Sequence, residues 1–227
     1  MVVEIPYSVS KDIVSAAADF VLSQGNYRMV INEPTGNFFY DKWKIKSEYN
    51  NTPFYDILKS IDFPIGEARV IPLEAGTCYI RHCDIDDRFH LNLYGDCGYL
   101  LDCDDLKMYE IKNDGQWYDM DTGKRHSAVA IGETVRLQLV VRKLLQKNNL
   151  QNPIDVTIIG GGDNIRFNFD NTISPWLNKK NKLGVITDFS ADPKKGKVRF
   201  KLEKQVTPEL DEVLPVHFQR INSIEDI

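Results

Sequence analysis

The sequence predicts a mainly β fold with flanking helices, a sandwich or jelly roll followed by a small C-terminal α/β extension. Three observations carry this. Short strand-like runs recur at close spacing from Glu67 onward. Turn formers separate them: Gly76, Asp86-Asp87, Gly95, Asp104-Asp105, Asp114-Gly115, Gly123 and Gly132. Two stretches ahead of them have helical periodicity.

The first of these stretches covers residues 10–24. Ser10 is its cap, Ile13, Ala17, Phe20 and Val21 line one side, and Gly25 stops it. A shorter helix is expected over 53–61, with Tyr55, Ile57, Leu58 and Ile61 as its apolar side. The aromatic stretch 37–45 between them reads as extended. The strands are expected at 68–73, 78–82, 89–93, 98–101, 107–111, 116–119, 127–131 and 136–141. About eight strands at this spacing fit a sandwich or jelly roll.

Residues 143–150 read as a short helix or linker. Beyond them, strands are expected at 154–159, 185–189 and 198–202, and Ile165, Phe167 and Phe169 alternate as one face of another. Gly160-Gly161-Gly162-Asp163 lacks the Lys and Ser/Thr of a phosphate loop and reads as a turn. Thr207 is the expected cap of a last helix, with Pro208 at its first position. The expected division is residues 1–148, made of an N-terminal helical part (1–62) and a β core (63–148), and then 149–227.

Composition narrows the class. Of the 227 residues, 42% are hydrophobic, enough for a packed core. The net charge of −5 provides no global basic field for nucleic acid. Cys78, Cys83, Cys97 and Cys103 show no CxxC spacing and read as isolated small apolar residues in a reducing cell, rather than zinc ligands or a disulfide framework. No signal peptide is evident, and no apolar run approaches the roughly 20 residues of a membrane span. A soluble, cytoplasmic protein is the expectation.

The chemistry concentrates between Ile80 and Val140. Here stand Arg81-His82-Cys83-Asp84, then Arg88-Phe89-His90, then Asp121, His126-Ser127-Ala128-Val129 and Arg136. His82 and Asp84 are two apart, so on a strand both would face one way. Two imidazoles and one carboxylate suit iron(II) or manganese(II), and zinc would also bind. If Leu137 and Leu139 face one way, Arg136 and Gln138 face the other. An Arg inside a barrel needs an anionic partner, and a dicarboxylate would supply one through paired hydrogen bonds. Arg88 and His90, again two apart, would share a face.

In this window, over roughly residues 66–141, the chain resembles the aspartyl/asparaginyl (and prolyl) β-hydroxylase-like branch of the Fe(II)/2-oxoglutarate-dependent oxygenases. The resemblance rests on His82-Cys83-Asp84, Arg88-Phe89-His90-Leu91, Trp117, Asp121, His126-Ser127-Ala128 and Arg136. It implies a double-stranded β-helix, a cupin-like jelly roll, in which His82, Asp84 and His126 bind Fe(II). Arg136 would hold the distal carboxylate of 2-oxoglutarate, with Arg88 and His90 near the other. No catalytic residue beyond the metal centre is implied. O2 would be consumed and ascorbate would support activity. The product would be a hydroxylated amino acid, or a hydroxylated Asp, Asn or Pro residue in a peptide or protein, with succinate and CO2. Asp84 places the chain nearer the members that keep an acidic ligand. Ala130 stands where many members have Asn.

A different class of function is a non-catalytic, cupin-like binding module for a metal or small ligand, with the C-terminal segment docking a partner. Arg136 separates the two, because a plain metal binder needs no dicarboxylate anchor. Lys179, Lys180, Lys182, Lys194, Lys195 and Lys197, near Trp176, Phe169 and Phe200, read as a solvated face rather than a nucleic-acid surface. The turns at Asp86-Asp87 and Asp102-Asp104-Asp105 read as solvated rather than calcium-binding. Tyr27, Phe38, Phe39, Tyr40, Trp43, Tyr49, Phe54 and Tyr55 read as core before substrate mouth, and His217 as a core or surface histidine.

Overall fold

The computed structural model describes residues 2–96, 98–161 and 165–222. Cys97, Gly162 and Asp163 therefore lie outside the described residues. The chain forms two compact units, Met1–Arg81 with Asp86–Leu144, and His82–Ile85 with Leu145–Ile227.

The first unit begins with β1 (Val2–Ser8), α1 (Lys11–Ser23), β2 (Met29–Val30), β3 (Asn32–Pro34), β4 (Trp43–Ile45) and α2 (Pro53–Lys59). Eight strands follow: β5 (Ile65–Leu73), β6 (Thr77–Cys78), β7 (Arg88–Tyr94), β8 (Gly98–Asp102), β9 (Lys107–Glu110), β10 (Gln116–Met120), β11 (His126–Ala130) and β12 (Arg136–Lys143). They divide between two antiparallel sheets. One has the order β1-β10-β7-β12-β5-β2, the other β6-β11-β8-β9.

The central strands of the larger sheet, β7 and β12, are buried on both faces. Phe89, Leu91, Leu93, Leu137, Leu139 and Val141 share a cluster with Val14, Ala17 and Val21 of α1 and Phe54, Ile57 and Leu58 of α2. Burying an aliphatic side chain of this size contributes about 1.5–3 kcal/mol, so this face anchors the helices. The alternate residues point the other way. These are Arg88, His90 and Asn92 of β7 and Arg136, Gln138 and Val140 of β12, with His90 opposite Val140 and Asn92 opposite Gln138. A second apolar cluster, including Leu73, Leu100, Tyr118, Met120, Ala128 and Ala130, joins residues of both sheets. The space between the sheets is thus lined by apolar side chains and by a group of buried polar ones.

Helix α1 starts as expected, with Ser10 Oγ accepting from Ile13 N–H and Gly25 just past its end at φ +68°. Two expectations change in this unit. Strand β6 stops at Cys78, and no strand ladder covers 79–81, so the expected strand 78–82 is cut short. Only 43–45 of the aromatic stretch is extended, because Asp41 folds back on Asn37. Residues 144–150, expected as a short helix or linker, are linker.

The second unit has β13 (Pro153–Gly160), α3 (Ile165–Asn168), a π-helical turn (Phe169–Ile173), α4 (Ser174–Lys182), β14 (Ile186–Asp192), β15 (Lys197–Glu203), α5 (Thr207–Val213) and β16 (Phe218–Asn222). Its antiparallel sheet has the order β14-β15-β13-β16. The strand expected through Ile165, Phe167 and Phe169 is helix instead. Phe169, Ile173, Trp176 and Leu177 are buried at helical spacing while Phe167 is exposed, and this longer period outweighs the three-residue alternation. Thr207 is not the cap of α5. Val206 holds that position without a side-chain bond, and Thr207 Oγ1 donates to Lys204 C=O inside a preceding 3₁₀ turn. No helix among the described residues is long and apolar enough to cross a membrane.

Candidate metal centre

The structure brings His82, Asp84 and His126 together. One ligand atom from each lies within 4.8 Å of the others. His82 Nε2 is 3.6 Å from Asp84 Oδ2. Ligands in adjacent positions on a first-row ion with bonds near 2.1 Å stand about 3 Å apart, and this group could hold such an ion. His126 begins β11, and its Nδ1 donates to Lys124 C=O at 2.9 Å. A carbonyl only accepts, so Nδ1 carries a proton, and in the neutral ring the lone pair is on Nε2.

His82 and Asp84 do not share the face of a strand, as their spacing suggests. They lie on an irregular loop whose backbone is held from the helices of the second unit. Cys83 N–H donates to Asp170 C=O at 3.1 Å, and Asn178 Nδ2 to Asp84 C=O at 3.4 Å. Asp170 and Asn178 were not evident from the sequence, because nothing in their spacing links them to residues so far upstream.

The polar group between the sheets is the second part of the site. Arg136 is fully buried. Its Nη1 donates to Tyr99 C=O at 3.1 Å and, more weakly, to Val129 C=O at 3.4 Å, while Nε and Nη2 have no hydrogen-bond partner. Burial lowers its pKa to about 10, with Tyr79 acting the other way, so it stays charged at neutral pH. Room for the guanidinium comes from Gly98, where a Cβ would sit 2.4 Å from Arg136 Nε. Substituting Gly98 with alanine should displace Arg136 at a folding cost of about 1–3 kcal/mol. Thermal melts would measure this, and an unchanged melting temperature would mean that Arg136 yields without loss.

Both ring nitrogens of His90 also lack hydrogen-bond partners, as does Gln138 Nε2. Burial, followed by Arg136, Arg88 and His126, pushes His90 from the ordinary 6.5 down to about 3, with Gln138 acting in the opposite sense. His90 is therefore a neutral ring beside two cations. A lowered histidine pKa favours folding above the unfolded value and loses that contribution as pH falls toward the folded one. Between pH 6.5 and about 3, the unfolded chain takes up one proton more than the native chain at this site, which costs up to about 1.4 kcal/mol per pH unit. His90→Gln should flatten the acid limb of the stability–pH curve by that amount. An unaltered slope in chemical denaturation would place the titrating group elsewhere.

The turn Asp86-Asp87 is not simply solvated, as expected. Asp86 is 3% exposed, accepts from Arg142 Nε, and lies 3.7 Å from Arg88 Nη2. Its backbone carbonyl accepts from Thr122 Oγ1 at 2.5 Å. Arg142 in turn packs on the Phe38 ring, 4.7 Å from its centroid. Asp86 thus ties Arg88 in place, and Phe38 belongs to this brace. Asp102 is likewise buried and accepts from the N–H groups of Asp104 and Asp105, a side-chain-capped turn.

The sequence matches no protein-family model and none of the curated proteins compared with it.

Among the other candidates, Trp117 is fully buried, with its Nε1 donating to Ser60 Oγ at 3.1 Å. Lys180 is not on a solvated face. It is buried, paired with Glu209 at 2.5 Å and set over the Trp176 ring. His217 is exposed.

Proposed function

We propose that the first unit is a double-stranded β-helix and that the chain is an Fe(II)- and 2-oxoglutarate-dependent oxygenase. The strand orders support the fold. From β5 to β12, strands β5, β7, β10 and β12 enter one sheet and β6, β8, β9 and β11 the other, as in a jelly roll.

The observation that carries the function is Arg136. A fully buried guanidinium with two unsatisfied nitrogens is costly unless a partner arrives. A carboxylate accepting from both nitrogens would be that partner. The donor set also fits the metal, since the two imidazoles and the carboxylate of His82, Asp84 and His126 would hold it and would leave room for further ligands. Iron bound with 2-oxoglutarate supplies oxidative hydroxylation of a C–H bond, with one O2 oxygen going to the product and one to succinate as CO2 leaves.

The chain's own residues do the rest. His126, oriented by Lys124 C=O, and the His82/Asp84 pair hold the metal. Arg136 fixes one end of the cosubstrate in the space that Gly98 leaves. Neutral His90 and the Asp86-braced Arg88 line the route to its other carboxylate, and the neutral ring lets a single dianion suffice. The apolar cluster around Leu73, Leu100 and Met120 keeps water from that space. The substrate is an amino acid, or an Asp, Asn or Pro residue of a peptide or protein.

The test is anaerobic addition of Fe(II) and 2-oxoglutarate, which should produce the weak visible charge-transfer band of the chelate. Admission of air should then form succinate. Absence of the band would overturn the proposal.

A further inference from the structure

The helical segment of the second unit contains an irregularity with a use. Residues Phe169–Ile173 form a π-helical turn between α3 and α4. Such turns store strain and recur at functional sites. Here the turn changes which carbonyls are bonded. Ser174 N–H, the ordinary α-helical donor for Asp170 C=O, goes to Phe169 C=O instead. The next possible donor along the helix is Pro175, which has no N–H. Asp170 C=O is thereby released from both ladders, and it accepts from Cys83 N–H at 3.1 Å.

About two helical turns further, Asn178 is 3% exposed and donates its amide to Asp84 C=O at 3.4 Å. The two bonds fall on consecutive residues, and the first of them is the residue between the two candidate ligands. The Asp170 carboxyl also stands in the field of both His82 and Asp84. Beyond Cys78 the continuous strand ends, although Tyr79 N–H still donates to Ala128 C=O at 2.9 Å and His82 makes an isolated β-bridge.

We infer that the π-helical turn and Asn178 are positioning elements for the metal site, holding the loop of His82 and Asp84 by its backbone so that both side chains meet one ion. Residues Asp170 and Asn178 touch no substrate. They act through the ligands, and Pro175 acts through Asp170. The inference rests on the proposed metal centre.

Cobalt(II) alone is the probe, added to the full chain, with affinity and visible absorption bands as readouts. Pro175→Ala restores an N–H that can recapture Asp170 C=O, and Asn178→Ala removes the amide. Each should weaken Co(II) binding about tenfold, as loss of supporting hydrogen bonds does at metal sites, and should alter the bands. The metal-free melting temperature should stay within a few degrees, and Pro175→Ala should leave the helix at least as stable. Lys179→Ala, on the exposed side of α4, should match the unaltered protein.

If the unaltered protein binds no Co(II), the metal centre itself is wrong, and the inference falls with it. If it binds and both variants give the same affinity and bands, only the inference is overturned. If affinity falls only in step with the metal-free melting temperature, the helix is a packing element, which also overturns it.

Discussion

Replacing Arg136 with methionine is expected to stabilise the ligand-free protein and abolish its uptake of 2-oxoglutarate. The side chain is fully buried, and two of its three nitrogens donate to nothing. A buried unsatisfied donor costs about 1–3 kcal/mol, more when charged. Well-packed apolar replacements of buried charged groups are often neutral or stabilising. Methionine fills similar space beside Gly98 and forfeits only the Nη1 bonds to Tyr99 and Val129. A net gain of about 1–2 kcal/mol would raise the melting temperature by a few degrees in a chain of this size. Metal affinity should hardly change, because Arg136 is not in the ligand set. Calorimetric titration with 2-oxoglutarate should show at least a hundredfold loss. A variant that melts lower and still binds the dicarboxylate would make Arg136 a structural residue and remove the main support for an oxygenase.

Removing a metal ligand should give the opposite pattern. His126→Ala is expected to weaken Fe(II) or Co(II) binding by more than a hundredfold, with 2-oxoglutarate chelation lost as a consequence. Its Nδ1 bond to Lys124 C=O is modest in energy, about 1 kcal/mol, so the metal-free fold should survive. Asp84→Ala and His82→Ala should behave alike. Titration monitored by cobalt absorption would check this. Metal binding by His126→Ala equal to that of the unaltered protein would show that the three side chains meet by accident of packing.

The β core was largely legible. Seven of the eight expected strands from residue 68 to 141 have close counterparts, because turn formers and alternation mark them locally, and the eighth, 78–82, keeps only Cys78. The His82, Asp84 and His126 grouping was legible as well, but through resemblance and not through strand geometry, since the loop carrying His82 and Asp84 is set by contacts from far along the chain. Strand β1 escaped notice because it pairs with β10, across most of the first unit's sequence, and carries Pro6. Gly98 gave no signal. Its importance lies in the side chain it lacks, which shows only when Arg136 is placed over it. Asp86 looked like a turn residue because its partner Arg142 is distant in sequence. The helix at Ile165 was misread because three alternating residues were weighed before the longer period that includes Ile173 and Leu177.

The anchorage of the His82–Ile85 loop has a temporal side. Asn178 and Asp84 are 94 residues apart in sequence. A ribosome adding roughly 5–20 residues per second exposes the loop several seconds before the helix that holds it. During that interval the eight strands can pair, but the Cys83 N–H and Asp84 C=O groups have not yet met Asp170 and Asn178. The nascent chain thus passes through a stage in which the strands of the first unit can pair while this loop still waits for its helical partners.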